Sequence, residues 1–135
     1  MPIYIFDASA ILNYLLSENK NSGSEVKNIF RLERQGKSQI YSLSLLPLEV
    51  SNVLKHKLTQ NDTLKIFELF KKQHISYQTL TMEHMEEIIK NSYQFGTTVY
   101  DTSYHYLAKM FDGTFITCDR DYYQKAKAWG NIKLI

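Results

Sequence analysis

The sequence contains a single cysteine, Cys118, among 135 residues. It cannot close a disulfide within the chain, so the fold is expected not to depend on oxidation, and a reducing, cytoplasmic setting is the natural expectation. No stretch approaches the about 20 consecutive apolar residues that a membrane span needs. The start, Met1-Pro2-Ile3-Tyr4-Ile5-Phe6-Asp7, has no basic segment followed by a long apolar run, which argues against a signal peptide. Repeats, low-complexity tracts and interdomain linkers are also lacking. His56, His74, His84 and His105 do not have the spacing of a zinc site. Nor is there a large excess of one charge, the formal net charge being +2.

What is present suits one globular domain spanning residues 1–135. Hydrophobic residues make up 44% and charged residues 22%, which is ordinary for a packed protein and argues against disorder. Short apolar runs alternate with amphipathic stretches. Strands are expected at Ile3–Phe6, Gln39–Leu43, His74–Leu80, Thr114–Thr117 and Ile132–Ile135. Helices are expected at Ser9–Leu16, Ser24–Arg34, Ser44 (as cap) to Leu58, Asn61 (as cap) to Lys72, Thr81–Tyr93, Val99–Phe111 with Thr98 as cap, and Asp119–Ala128. Ser17–Ser24 reads as a polar loop. This alternation implies βαβ units: an α/β fold with a central, mostly parallel sheet of four to five strands and helices on both faces. In such sheets ligands bind beyond the carboxyl ends of the strands.

Two acids fall at such ends. Asp7 follows the first strand, and Asp119, in Thr117-Cys118-Asp119-Arg120-Asp121, follows a later one. Each has an ordinary explanation as a helix N-cap. Asp101 lies in a first helical turn, where the helix dipole favours an anion. Glu49 is harder to explain structurally. At about 100° per residue it falls inside the apolar arc of Leu45, Leu46, Val50, Val53 and Leu54. A carboxylate on a buried stripe is costly unless it is paired or coordinates a metal.

Taken together, the four acids suggest a cluster that needs a cation. Hard oxygen ligands suit Mg²⁺ or Mn²⁺. Such ions activate water and stabilise a leaving oxygen, which is the chemistry of phosphodiester hydrolysis. Removing these four from the 14 acidic residues leaves ten against 16 basic ones, a balance suited to a polyanionic substrate.

The same residues carry a family resemblance. Phe6-Asp7-Ala8-Ser9-Ala10, Leu48-Glu49-Val50, Val99-Tyr100-Asp101-Thr102 and Ile116-Thr117-Cys118-Asp119 resemble, in order and spacing, the four motifs of PIN-domain proteins. They are most similar to those of VapC-type toxins of VapBC toxin–antitoxin modules. The resemblance implies a PIN fold, a Mg²⁺- or Mn²⁺-dependent endoribonuclease acting on RNA, a homodimer, and inhibition by a small antitoxin protein. It also implies that Asp7, Glu49, Asp101 and Asp119 form a catalytic, metal-binding centre, with Ser9 and Thr117 in support. Two features depart from it or leave the set open: Thr102 stands where the family often has alanine, and Asp121 is a second acid beside Asp119. The alternatives are an RNA-processing PIN nuclease without a toxin role, and a catalytically silent module that binds RNA or protein.

Other features have milder readings. Arg120 is a candidate phosphate contact, or a solvent-exposed helix residue. Tyr100, Tyr104, Tyr106, Tyr122 and Tyr123 flank the acids and are candidates for base stacking, with core and rim packing the expectation for most. His105 is expected on the surface or rim, and Cys118 as a core thiol. Tyr14, Leu15 and Leu16 serve either the core or a partner surface.

Overall fold

Ile5 and Phe6 are fully buried at the end of the first strand, as a central strand covered on both faces requires. The computed structural model describes residues 1–17 and 20–135. Its elements run β1 (Ile3–Phe6), α1 (Ala8–Leu16), α2 (Lys20–Arg34), β2 (Gln39–Leu43), α3 (Leu46–Lys57), α4 (Gln60–Lys71), β3 (Ser76–Gln78), α5 (Met82–Phe95), α6 (Val99–Phe111), β4 (Thr114–Thr117), α7 (Arg120–Ala126) and β5 (Ile132–Leu134). A short 3-10 turn, Lys127–Trp129, precedes β5.

The five strands form one sheet in the order β3-β2-β1-β4-β5, and every pairing is parallel. Ile5 faces Tyr41 on one side and Phe115 on the other. Chain order reverses between β1 and β4, so these two strands flank the switch point. The crevice beyond their carboxyl ends is where an open parallel sheet places its ligand. The expected α/β architecture is thus the observed one, with five strands, all parallel.

The helices cover this sheet. α6 lies across β1, β2 and β4, with Tyr104, Leu107 and Ala108 buried. α1 packs on β1 and β4 and against α2, α3 and α4. Leu15 lies in the core, and Tyr14 and Leu16 pack against it, so the apolar end of α1 serves packing. Phe30 tilts against both Phe6 and Tyr14 at 5.4 Å between ring centres, tying α2 to this layer.

Several boundaries differ from the sequence expectation, each for a local reason. α2 begins at Lys20 rather than Ser24, so the expected Ser17–Ser24 loop is mostly helix; positions 18 and 19 lie outside the described residues. At Gly23 α2 lies against α1, with Asn13 O and Tyr14 Cα 3.8 Å from where a β-carbon would stand, an ordinary van der Waals contact. Ser44 is not a cap. Its N–H donates to Gln78 O, which ends the β2–β3 pairing, and Leu45 takes the boundary position with Pro47 in the first turn. The α4 cap is Thr59, not Asn61, because its hydroxyl accepts the Asp62 N–H at 3.2 Å. β3 is only three residues long, a short edge strand of the kind that limits unwanted pairing. Cys118 lies just past β4, half-buried, and Asn13 Nδ2 donates to its sulfur.

Candidate active site

Asp7 is the N-cap of α1 and is only 6% exposed. Its Oδ1 accepts the Ser9 hydroxyl at 2.7 Å and the Ala10 N–H at 3.0 Å, and its Oδ2 accepts the Thr117 hydroxyl at 2.8 Å. Both hydroxyl protons are therefore committed to Asp7, and the 3.4 Å approach of Ser9 Oγ to Thr117 Oγ1 is not a third bond. The two oxygens act instead as acceptors: Ser9 Oγ takes the Cys118 N–H at 3.1 Å and Thr117 Oγ1 takes the Asp119 N–H at 3.0 Å. The ends of β1 and β4 are thereby tied to a single carboxylate. Capping and a site role are compatible at Asp7. Burial pushes its carboxyl up to about 6, despite three donors that favour the anion, and the charge of Asp101 adds to the rise.

Asp119 caps α7, its Oδ1 accepting the Tyr122 N–H at 3.0 Å. Asp101 stands in the first turn of α6, where its own N–H is capped by Thr98 Oγ1 at 3.1 Å. Burial, joined by the charge of Asp119 and opposed by the Thr98 bond, raises the Asp101 carboxyl above the usual carboxylate range. A small cavity of about 90 Å³ has Asp101, Asp119 and Asp121 on its wall, beside Thr98, Tyr122 and Lys125. Lys125 pairs with Asp121 at 3.1 Å, which gives Asp121 a structural partner and distinguishes it from Asp119.

Glu49 does not line that cavity. It is half-buried on α3, and Tyr104 Oη donates to its Oε1. Tyr104 is 1% exposed, one turn beyond Asp101 on α6. Burial, then the bond to Glu49 and the charges of Glu49, Asp7 and Asp101, push its phenol far above the ordinary value. Tyr104 thus lies in the field of three of the four acids. Tyr122, also buried, feels Asp101, Asp7 and Asp119. These two rings are core residues and do not offer faces to a base; among the tyrosines near the acids, Tyr100 is the most exposed at 64%.

His105 is fully buried rather than at the rim. Its Nε2 lies 2.6 Å from Gly130 O, an acceptor only, so Nε2 carries the proton. Nδ1 then accepts the Tyr122 hydroxyl at 2.8 Å. Burial pulls the imidazole down to about 4, which keeps it neutral. Thr102, buried in the same layer, donates to Thr98 O at 2.6 Å and so satisfies its hydroxyl within its own helix. The sequence placed Tyr104 and Tyr122 beside the acids, but not their hydrogen bonds to Glu49 and His105, nor the burial of His105. The available signal was that a buried phenol or imidazole must find a polar partner.

None of the ion pairs described in the structure includes Asp7, Glu49, Asp101 or Asp119. Among the described residues, no group of three or more Asp, Glu, His or Cys side chains is close enough to hold a metal ion. The donor set nonetheless fits a hard divalent cation. All four groups supply oxygen, Asp7 and Asp101 are raised in part by neighbouring carboxylates, and Mg²⁺ usually takes only one or two protein carboxylates and fills its shell with water. Arg120 is exposed in the first turn of α7, next to Asp119. No helix among the described residues is long and apolar enough to cross a membrane.

No family model and no curated protein matches the chain. Solved structures do. The chain is similar to VapBC2 from Rickettsia felis, solved with a DNA fragment from their promoter, at TM-score 0.69 and 12% identity over 98% of this chain and 97% of the other. It is similar to VapC20 from Mycobacterium tuberculosis, a Sarcin-Ricin loop cleaving toxin, at TM-score 0.68 and 10% identity over 97% and 98%. A toxin-antitoxin complex from Klebsiella pneumoniae matches at TM-score 0.63 and 10% identity over 96% and 95%. At such identities the likeness is one of fold, and it spans nearly the whole of each chain: this protein has the PIN-like α/β fold.

Proposed function

We propose that this chain is a metal-dependent endoribonuclease, the toxin of a toxin–antitoxin pair, with Asp7, Glu49, Asp101 and Asp119 as its acidic centre. The observation that carries the reading is Asp7: a carboxylate at the switch point, held by three donors, raised by its burial with a smaller contribution from Asp101, and in no described ion pair. A buried anion in that state is stabilised by a cation.

Mg²⁺ or Mn²⁺, when bound, would supply a water of lowered pKa and neutralise charge developing on the phosphate. The chain's own residues do the rest. Ser9 and Thr117 fix both oxygens of Asp7. Asp101 and Asp119 face the adjoining cavity, and Glu49 completes the donor set from α3. The exposed Arg120 guanidinium is placed to hold a phosphate of the substrate.

RNA is the proposed substrate because a protein of the same fold is described as a Sarcin-Ricin loop cleaving toxin. A small antitoxin partner is proposed because another match is a toxin-antitoxin complex. A homodimer and a cytoplasmic location complete the proposal, on the motif resemblance.

A second reading, a PIN-like module that binds RNA or protein without cutting it, draws on the lack of a closed metal-ligand group among the described residues. Incubating the purified chain with single-stranded RNA and Mn²⁺ separates the two. Internal cleavage products are expected; intact RNA gives the case to the silent module. Growth arrest on expression, relieved by a short reading frame encoded beside it, is the expected sign of the toxin role.

A further inference from the structure

We infer that Tyr104 is a positioning residue for the acidic centre: its hydroxyl orients the Glu49 carboxylate and leaves the second oxygen of Glu49 for a divalent cation. The inference rests on the nuclease reading above. It starts from the bond between Tyr104 Oη and Glu49 Oε1, which joins α6 to α3 across 55 residues of sequence.

Glu49 stands on a helix face where Leu46, Val50 and Leu54 are buried, and it takes part in no described ion pair. A flexible glutamate in that position needs a fixed donor if it is to present one orientation. Tyr104 is such a donor. It is 1% exposed, and its ring stacks on Phe115 with centres 6.3 Å apart and planes 15° apart. Phe115 is fully buried in β4, two residues before Thr117, which holds Asp7. The hydroxyl is therefore set by the same strand that positions the buried acid. It donates to Glu49 Oε1, so it orients that carboxylate and does not compete for a cation. Partners that orient metal ligands commonly govern affinity by 10- to 100-fold.

The test is a double-mutant cycle on the full chain, read by calorimetric titration with Mn²⁺ in the absence of RNA. Tyr104→Phe keeps the stacked ring and removes only the hydroxyl. It is expected to fold, with a melting temperature close to that of the parent, and to bind Mn²⁺ about tenfold more weakly. In the Glu49→Ala background the same substitution is expected to change Mn²⁺ affinity less than twofold, because the carboxylate through which it acts is gone.

Equal losses in both backgrounds, or unchanged affinity in Tyr104→Phe, would overturn the inference while leaving the nuclease reading intact. A Tyr104→Phe chain that does not fold would show that the hydroxyl serves the fold, and overturns it too. A parent chain that binds no Mn²⁺ would remove both this inference and the metal-dependent reading.

Discussion

The Thr117 hydroxyl donates to Asp7 Oδ2 at 2.8 Å while accepting the Asp119 N–H at 3.0 Å, so one side chain on β4 couples the acid after β1 to the acid after β4. Because β1 and β4 are neighbours on either side of the switch point, this bond ties together the two strand ends that border the crevice. Thr117→Val preserves shape and removes both functions of the hydroxyl. The expected cost is about 1–3 kcal/mol of stability, with an Asp7 carboxyl raised further. Urea unfolding measures the first and its pH dependence the second, and a variant with parental stability at every pH would show the hydroxyl to be idle.

Glu49→Gln should leave a folded protein, since Gln Oε1 can still accept from Tyr104. It should weaken Mn²⁺ binding and abolish RNA cleavage. Parental cleavage by this variant removes Glu49 from the centre.

Two buried groups give stability opposite pH slopes. Folded Asp7 keeps its proton up to about pH 6 against 3.8 for the exposed group, so the folded state carries the extra proton between those values and stability falls as pH rises. Folded His105 gives up its proton near 4 against 6.5, so the unfolded chain carries the extra proton and stability falls as pH drops through that window. In the parent these slopes largely cancel. Asp7→Asn should therefore lose stability on acidification from pH 6.5 to 4, and His105→Phe should gain it over the same range, each on the order of 2–3 kcal/mol. Urea midpoints across this range check the signs, and identical slopes in both variants would contradict the assignment.

Gly113 sits between α6 and β4, where a β-carbon would come within 2.8 Å of Ile3 O and 2.9 Å of Ile5 Cδ1. Gly113→Ala must push β4 from β1, and a loss of about 1–3 kcal/mol is expected. Mn²⁺ binding at the proposed centre is expected to weaken with it, because Asp7 and Thr117 lie at the ends of these two strands. A melting temperature equal to the parent's would show that the close approach relaxes without cost.

Features set by neighbours in the chain were legible in the sequence. The α6 bounds followed from Thr98 as cap and Asp112-Gly113 as stop, and β1, β2 and β4 from compact apolar runs. The start of α2 was not, because Gly23 reads as a loop residue and Ser24 as a helix cap until α1 is there to pack against. At the site, helical spacing alone put Glu49 on an apolar face. Its partner could not be read, since Tyr104 lies 55 residues away and meets it only when α6 crosses the sheet. His105 was misplaced at the rim for a similar reason: its two partners, Tyr122 and Gly130, come from the last βα segment.

The central claim is that a divalent cation held by the acidic centre around Asp7 cuts RNA, and the most direct measurement is the cleavage rate of single-stranded RNA by the purified full chain with Mn²⁺. The account predicts cleavage that EDTA abolishes and that is lost in a folded Asp7→Asn variant. Undiminished cleavage by Asp7→Asn, or cleavage that persists in EDTA, would contradict it.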